Sequence, residues 1–421
     1  MIYIARFFEI LAVLGCASSF AYYLICLWVA AMFARRGQAA STKLAPRACP
    51  PVSILKPLKG TDPEIDESFR SHCRQDYPEY EIIFGVSDPE DPAVASVEQL
   101  KKDFPDRAIQ LVICPQILGS NVKVSNLEQM AATARHPVLI VNDSDIRVEQ
   151  DYLARVVAPL TDERIGMVTC LYRGVAQPTL GSQLESVGIS TDFCAGVLVA
   201  ERLENGLKFG LGSTLAFRRV DLDRLGGFKA FVDFLADDYE LGRRIAGLGK
   251  KVVLSDVVVE THLPAYSFSE FLSHQLRWGR GVRDARRGGY IGLVSTFGTM
   301  WGLIAVLAAR GAAWSWALLA GMLLLRTVVA FIFCRSVVQD EDAVERLWLV
   351  PLRDLIAAAV WMASFAGHGV TWRGDRFELK DGRLIRADGA QVAAPSPLSP
   401  LPRQGEDYSP RDGISSNRPS A

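Results

Sequence analysis

Long apolar segments at both ends of the chain most constrain how it can fold. Residues 7–34 carry a single ionisable side chain, Glu9, near their start. A bilayer core takes about 20 apolar residues to cross, whereas the apolar region of a cleaved signal peptide is about 7–15 residues long and has a basic start. We therefore expect residues 1–36 to form an uncleaved transmembrane anchor.

Basic residues are distributed unevenly around this anchor. Arg6 precedes the apolar segment 7–34, while four basic residues follow that segment: Arg35, Arg36, Lys43 and Arg47. Because positively charged loops stay on the cytoplasmic side, the next domain is expected in the cytoplasm. The eight cysteines agree with a reducing compartment, since they form no Cys-x-x-Cys pair and no ligand-like spacing with the five histidines. They indicate neither a disulfide framework nor a zinc site.

Three further apolar segments follow in the C-terminal part of the chain: residues 289–309, 311–334 and 347–370. The first two contain a single charged side chain, Arg326. The third carries Arg353 and Asp354 near its start, and both side chains are expensive in lipid. We expect two spans plus an interfacial or re-entrant segment, with three full spans as the alternative. Two spans would return the chain to the cytoplasm.

Short apolar runs alternate with helical stretches between the anchor and residue 265. The strand-like runs are residues 52–58, 80–86, 108–113, 138–141 and 166–172, and the helix-like stretches are 62–75, 92–103 and 122–134. This order predicts an α/β domain with a doubly wound, mostly parallel sheet. The formal charge of −1 and the pI near 6.6 give no case for a nucleic-acid partner.

The predicted organisation has six parts. They are a transmembrane anchor, an α/β domain, an amphipathic interfacial helix, a membrane region of two or three segments, a short basic cytoplasmic segment and a disordered Pro-Ser-rich tail. Their residues are 1–36, 48–265, 266–288, 289–371, 372–389 and 390–421.

Two carboxylates close one of the predicted strands. Asp143 and Asp145 flank Ser144 directly after the apolar run 137–141, and ligands collect at the carboxyl ends of strands in open α/β sheets. Hard cations such as Mg²⁺ or Mn²⁺ bind through one or two carboxylates plus substrate phosphates. The pair therefore indicates a metal-diphosphate site, and the alternative is a turn with two solvated aspartates.

Other acidic residues stand at comparable positions. Asp88 follows the second strand and could accept a hydrogen bond from a base or a ribose hydroxyl, or could close an ordinary Asp-Pro turn. Asp237 and Asp238 open a predicted helix, where acidic residues often complement the helix dipole. Adjacent carboxylates also raise each other's pKa, which suits a general base.

Residues 268–287 interleave aromatic and basic side chains. A basic amphipathic helix of this kind suits a membrane surface, and a solvated basic helix is the alternative. Within it, Arg277 beside Trp278 offers a fork-shaped cation for a diphosphate leaving group.

Taken in order along the chain, these features resemble a family-2-like glycosyltransferase of GT-A fold. In particular, they resemble the ceramide glucosyltransferase family (family 21) and its bacterial hopanoid-associated relatives. The resemblance runs from Val52 to Leu379. Matching stretches are residues 55–60, 143–148, 212–214, 218–219, 226–228, 372–374 and Arg376.

The resemblance implies an inverting enzyme that moves a hexose, glucose or N-acetylglucosamine, from a UDP-sugar to a hydroxyl of a ceramide-type or hopanoid lipid. It implies Asp88 on the uridine side, Asp143 and Asp145 on the metal-diphosphate, and Asp238 as the base. Arg277 and Trp278 would lie by the diphosphate and the acceptor entrance. Supporting roles would fall to Asp237, His274 and Gln275. The implied location is a bacterial inner membrane, with the catalytic domain on the cytoplasmic face.

Two positions depart from the family pattern. The residue three places before the arginine is usually Gln or Arg, but here it is His274, with Gln275 one step later. Animal ceramide glucosyltransferases commonly have Gly where this chain has Asp145. Both features resemble the hopanoid-associated branch. A processive polysaccharide synthase, a polyprenyl-phosphate sugar transferase and a membrane-tethered nucleotide- or metal-binding module are the alternative functions.

Overall fold

A mixed eight-stranded sheet forms the centre of the protein, in a computed structural model that describes residues 2–41, 49–372 and 375–386. Its strands follow the order β3-β2-β1-β4-β7-β6-β8-β5. They are β1 (Val52–Pro57), β2 (Tyr80–Val86), β3 (Ala108–Ile113), β4 (Val138–Val141), β5 (Ile146–Arg147), β6 (Ile165–Val175), β7 (Leu215–Arg218) and β8 (Lys251–His262).

The helices pack on both faces of this sheet and continue beyond it into the apolar segments at both ends of the chain. They are α1 (Ile2–Ser41), α2 (Ile65–Cys73), α3 (Ala93–Asp103), α4 (Val122–Thr133), α5 (Tyr152–Val157), α6 (Leu180–Gly188), α7 (Cys194–Leu203), α8 (Arg219–Arg224), α9 (Asp237–Gly247), α10 (Phe268–Ala285), α11 (Arg287–Gly292), α12 (Gly298–Ala308), α13 (Ala313–Ile332), α14 (Glu341–Glu345) and α15 (Val350–Ser364). A π-helical turn, Ile189–Phe193, joins α6 to α7.

The sheet is parallel on one side and mixed on the other. β1 pairs in parallel with β2 and β4, and β2 pairs in parallel with β3. Strands β1, β2 and β4 are buried along their whole length, as expected for parallel strands covered on both faces. Strand β7 lies antiparallel between β4 and β6. The predicted α/β fold with a mostly parallel sheet is confirmed.

Among the residues that the structure describes, three helices are long and apolar enough to cross a membrane: Tyr3–Arg36, Ala313–Val337 and Leu347–Ser364. A further pair, Arg287–Thr296 and Gly298–Ala308, passes the same test together but is bent by 55°. The sharp bend therefore lies in the first C-terminal segment, whereas the sequence suggested an irregular segment at residues 347–370. The number of crossings stays a prediction.

Backbone groups freed at this bend are satisfied by neighbouring side chains. The Ser19 hydroxyl donates to the Ser295 carbonyl (2.9 Å), and the Tyr23 hydroxyl donates to the Thr296 carbonyl (3.2 Å). Non-helical backbone is tolerated at membrane depth only where it is buried in protein or lines a cavity. Helix α1 therefore stabilises the bend.

Charged residues in the apolar segments pair with one another. The guanidinium of Arg326 on α13 lies 3.0 Å from Asp354 on α15 and also pairs with Asp192 in the π-helical turn. Ionisable side chains within apolar segments usually face the bundle interior and find partners. This cluster joins two candidate membrane helices to the α/β domain.

A second, antiparallel sheet lies at the end of the described chain, in the order β11-β10-β9. Its strands are β9 (Gly369–Trp372), β10 (Asp375–Lys380) and β11 (Arg383–Arg386). The sequence predicted only a short basic segment at 372–389. Residues 373–374 and 387–389 and the predicted disordered tail at 390–421 lie outside the described residues.

Candidate functional site

The carboxyl edge of the parallel strands brings a buried lysine against the Asp-Ser-Asp segment. Lys56 on β1 is fully buried, and its Nζ donates to the backbone carbonyl of Asp143 (2.9 Å). Burial lowers the pKa of Lys56 to about 7, opposed by the carboxylates of Asp145 and Asp143. Lys56 therefore holds the backbone of the Asp143-Ser144-Asp145 segment in place.

Asp145 is held at the end of β8. Its carboxylate accepts a hydrogen bond from the Thr261 hydroxyl, and the Ser144 hydroxyl donates to Asp62. Burial, together with the neighbouring charge of Asp143, raises the pKa of Asp145 to about 6. The two carboxylates of the segment thus differ in environment. The carboxylate of Asp145 accepts a hydrogen bond from Thr261, whereas the side chain of Asp143 is 41% exposed.

Lys123, on the first turn of α4, joins two acidic sites. Its Nζ lies 2.7 Å from Asp143 Oδ1 and 3.5 Å from Asp237 Oδ2. Burial opposes its charge, but Asp143 and Asp237 outweigh this effect and raise the pKa of Lys123. Helix α4 is positioned by Asn121, whose side chain accepts from the Val124 amide at the helix start, an N-cap arrangement.

Asp238 faces Asp143 across Gly212. A Cβ at Gly212 would lie 3.1 Å from Asp143 Oδ2 and 3.4 Å from Asp238 Oδ2, so a side chain there would crowd both carboxylates. Burial and the adjacent Asp237 raise the pKa of Asp238 to about 6, while Lys123 opposes the shift. Burial also raises the pKa of Asp237.

Asp88 lies exposed at the end of β2. Its carboxylate accepts from the Glu90 amide (2.9 Å), so the residue does close a turn. A cleft between the ends of β1 and β2 and the start of α4 is lined by residues that include Pro57, Lys59, Ser87, Lys123 and Asn126. One of the lining residues, Lys123, also pairs with Asp143 and Asp237, so the cleft adjoins these two carboxylates.

Helix α10 carries the predicted segment Arg277-Trp278. Its residues His274 and Gln275 contact the buried side chain of Glu185. Glu185 on α6 lies 3.5 Å from His274 Nδ1 and accepts from Gln275 Nε2 at 2.5 Å. The side-chain oxygen Oε1 of Gln275 in turn accepts from Arg353 on α15 (2.7 Å). This buried network anchors α10 between the α/β domain and a candidate membrane helix. A capping box formed by Ser267 and Glu270 begins the helix.

An aromatic row connects α10 to the acidic residues. Ring centroids are 4.9 Å apart for Tyr172–Phe193, 6.1 Å for Phe193–Trp278, 5.4 Å for Trp278–His274 and 5.4 Å for His274–Tyr266.

Glu185 lies near both ends of the row. Burial raises the pKa of Tyr172, helped by Glu185 and by the charges of Asp238 and Asp143. Burial and Glu185 likewise raise the pKa of Tyr266, while the positive charge of Arg277 opposes this shift.

The structure brings most of the sequence candidates together. Asp143, Asp237 and Asp238 meet around Lys123, and Asp145 lies beside them. Asp88 stands at the next strand end, and Trp278 reaches the site through the aromatic row. His274 and Gln275 support the helix through Glu185.

Sequence reasoning missed several residues that shape the site: Lys56, Lys123, Thr261 and Glu185. Only Lys56 carried a local signal, because it is a lysine inside an apolar strand.

The acidic residues suit a divalent cation that is shared with a substrate. Within the described ranges, no group of three or more His, Cys, Asp or Glu side chains is placed to hold a metal ion. Asp143 and Asp145 offer carboxylate oxygens of the kind that Mg²⁺ or Mn²⁺ prefers, and such ions commonly complete their shell with waters and phosphates. The residues present therefore fit a cation that arrives with a diphosphate.

Two solved structures align with much of this chain. A mannosyltransferase from Pyrobaculum calidifontis, solved with GDP-Man and Mn²⁺, aligns with a TM-score of 0.46 at 20% identity, over 83% of this chain and 99% of that one. TarS from S. aureus, solved with UDP-GlcNAc, aligns with a TM-score of 0.36 at 13% identity, over 79% of this chain and 98% of that one.

The sequence relatives include ceramide glucosyltransferases. Ceramide glucosyltransferase 3 of Caenorhabditis elegans is 27% identical over 230 residues, which are 54% of this chain and 50% of that protein. The ceramide glucosyltransferase of Komagataella phaffii is 33% identical over 113 residues, 26% of this chain and 22% of that protein. The chain thus spans half or less of the length of these relatives.

The family match is more extensive than either pairwise alignment. A family model described as Glycosyl transferase family 21 matches residues 11–385. That range contains the acidic site, the Arg-Trp helix and the candidate membrane helices, and it reaches into the C-terminal sheet. The resemblance drawn from the motifs is confirmed, and the chain belongs to glycosyl transferase family 21.

Proposed function

We propose that the protein is an inverting glycosyltransferase that transfers a hexose from a UDP-sugar to a hydroxyl group of a membrane lipid. One observation carries the proposal: the carboxylates of Asp143 and Asp238 converge on Gly212, with Lys123 pairing Asp143 and Asp237. Two partly exposed carboxylates, of which that of Asp238 has a raised pKa, thus face each other, as a donor site and a base require.

The donor would bind along the carboxyl edge of the sheet. The nucleoside would lie at the polar strand ends beside Ser87 and Lys59, next to Asp88. A cation held by Asp143 and Asp145 would neutralise charge that builds on the departing diphosphate. Lys123, which pairs with Asp143, and Arg277 on α10 would supply positive charge that favours the leaving group electrostatically.

Asp238 would act as the general base. With a pKa of about 6, its carboxylate is ionised at neutral pH yet basic enough to accept the acceptor's hydroxyl proton. The oxygen that loses this proton attacks the anomeric carbon as the diphosphate leaves from the opposite face. A single displacement of this kind inverts the configuration.

The acceptor would approach along α10 and the aromatic row. The helix is amphipathic and lies between the α/β domain and α15, which suits a site at a bilayer surface. A lipid hydroxyl could then reach Asp238 while its chains stay in the membrane. Ceramide-type lipids and hopanoid polyols both fit this requirement, and the expected location remains a bacterial inner membrane with this domain in the cytoplasm.

Contacts of α15 favour two membrane crossings in the C-terminal region. Near its start Arg353 donates to Gln275, and at its end the Ser364 carbonyl accepts from Arg283, so α15 runs alongside the surface helix α10. After α13, the Val338 carbonyl accepts from Arg173 of the α/β domain (3.1 Å). We infer that α11 and α12 lead away from this domain, that α13 returns and that α15 lies at the interface.

The test is transfer of labelled sugar by membranes that contain the full-length protein. UDP-glucose and UDP-N-acetylglucosamine would each be supplied with Mn²⁺ and with ceramide, a hopanoid polyol or a polyprenyl phosphate, followed by mass analysis of the lipids. One lipid glycoside of inverted configuration is expected, and it should disappear with Asp238→Asn. Growth of a polymer would favour a processive synthase, a polyprenyl-phosphate product would favour that acceptor class, and nucleotide binding without transfer would favour a binding module.

A further inference from the structure

The C-terminal sheet is joined to the loop that precedes α9. The Leu235 amide donates to the Gly382 carbonyl (3.1 Å), and the Leu384 amide donates to the Asp233 carbonyl (2.7 Å). These bonds make a short antiparallel bridge between the loop and β11. The loop, residues 232–236, ends directly before Asp237 and Asp238.

Side chains strengthen this attachment. The centroid of the Phe234 ring lies 5.4 Å from the guanidinium carbon of Arg244 on α9 and 5.1 Å from that of Arg383 on β11. Both distances are within the range of cation–π attraction. Leu235 packs against the buried cluster of the small sheet, formed by Val370, Phe377, Leu379 and Leu384. The loop therefore completes the core of the C-terminal sheet.

The opposite side of the loop is bonded to the start of α4. The Asn121 side chain donates to the Phe234 carbonyl (2.8 Å), and the Asn121 amide donates to the Val232 carbonyl (2.6 Å). The Ser120 amide donates to the Asp233 carboxylate (3.0 Å). The loop is thus held between α4, which carries Lys123, and the C-terminal sheet.

The small sheet is itself tied to the surface helix. The Gly382 amide donates to Asp284 on α10, and Arg280 on α10 donates to the Gly369 carbonyl. A two-stranded hairpin is at best marginally stable by itself, and a third strand or packing against a helix stabilises it. A continuous set of contacts therefore leads from α10, through the turn at Gly382, to the start of α9.

We propose that the β10–β11 hairpin is a positioning element for the reaction, which holds the 232–236 loop so that Asp238 stays opposite Asp143. The inference rests on the proposed function, because the hairpin would act by positioning the proposed base, Asp238. The hairpin is bonded to the loop and to α10, whereas residues of other elements line the cleft at β1 and β2. Its loss should therefore lower kcat and leave donor binding unchanged, since small displacements of a reacting group cost rate steeply.

The test uses Gly382→Val in the full-length chain. Gly382 has a φ of +77°, and a Cβ there would lie 3.5 Å from the Phe234 ring, so a branched side chain would strain the turn and push it from the loop. Glu378→Gln, an exposed position on the same hairpin, is the matched control. Arg383→Ala tests the ring contact more mildly, and Arg383→Lys should restore part of the lost rate.

We expect Gly382→Val to lower kcat at least about tenfold with the donor KM unchanged, and to speed amide exchange in residues 232–238. Glu378→Gln should change neither. Unchanged exchange or unchanged kcat overturns the inference, as does a donor KM that rises in step with the loss of kcat. If the wild-type protein transfers no sugar to any lipid, the proposed function fails. Unchanged amide exchange of residues 232–238 in Gly382→Val would separately show that the hairpin does not hold the loop.

Discussion

Lys123 and Asp143 form an ion pair of 2.7 Å at the point where the two acidic sites meet. The same lysine lies 3.5 Å from Asp237. It therefore balances charge between the expected metal-diphosphate residues and the residues that open α9. No other lysine side chain among the described residues forms an ion pair with either aspartate.

Lys123→Met should lower kcat/KM by at least about tenfold, because a buried carboxylate that loses its partner is costly and Asp143 and Asp237 would repel each other. Lys123→Arg should retain more activity. Lys101→Met, which removes an exposed pair with Glu98, is the control. Initial rates of lipid glycosylation measure the effect, and equal rates for the Lys123→Met variant and the wild type would contradict the role of Lys123.

Activity should fall as the pH drops through about 6. Asp238 has a pKa raised to about 6, and a base accepts a proton only in its ionised form, which predominates above the pKa. The acid limb of log kcat against pH should therefore approach a slope of one. A flat profile from pH 5 to 8 would count against Asp238 as the base.

Asp238→Asn should abolish turnover and stabilise the fold above pH 6. Burial raises the pKa of Asp238 from 3.8 to about 6, so the ionised carboxylate destabilises the folded state above that pH, by up to about 3 kcal/mol. The penalty disappears as the pH falls below the unfolded value near 4. Thermal unfolding in detergent should give a higher Tm for the variant at pH 8, and similar values at pH 4. A lower Tm at pH 8 would contradict this account.

Gln275→Leu should destabilise the junction between α10 and α15. Gln275 is the link between Glu185 and Arg353, and removing it leaves buried polar groups without a partner, at a cost of about 1–3 kcal/mol. Gln99→Leu, which removes an exposed bond to Asp103, should have little effect. A drop in Tm for the first variant only is expected, and equal Tm values would show that the network contributes little.

Two C-terminal crossings place the loops before and after α13 on opposite sides of the membrane. In a chain whose eight native cysteines are replaced by serine or alanine, Arg310→Cys should react with an impermeant thiol reagent in intact cells. Gln339→Cys should react only after the membrane is opened. Labelling of both positions in intact cells would reject the two-crossing arrangement.

Local sequence determined much of the fold. The runs at residues 80–86, 108–113 and 138–141 match β2, β3 and β4, because the strands of a parallel sheet are short apolar runs between helical stretches. The positions of Asp88, Asp143 and Asp238 also followed from sequence, since each stands at a strand end or a helix start. The apolar segments identified the candidate membrane helices by length and composition alone.

Only the tertiary structure decided which of these residues meet. Thr261 reaches Asp145 because β8 pairs with β5, and Lys123 reaches Asp143 because α4 begins at the same sheet edge. The C-terminal sheet meets the loop before α9 across more than a hundred residues of chain. Such pairings depend on long-range packing and backbone hydrogen bonds, which leave no periodicity in the local sequence. The sequence by itself therefore determined the chemistry of the side chains, while the fold decided their partners and their pKa values.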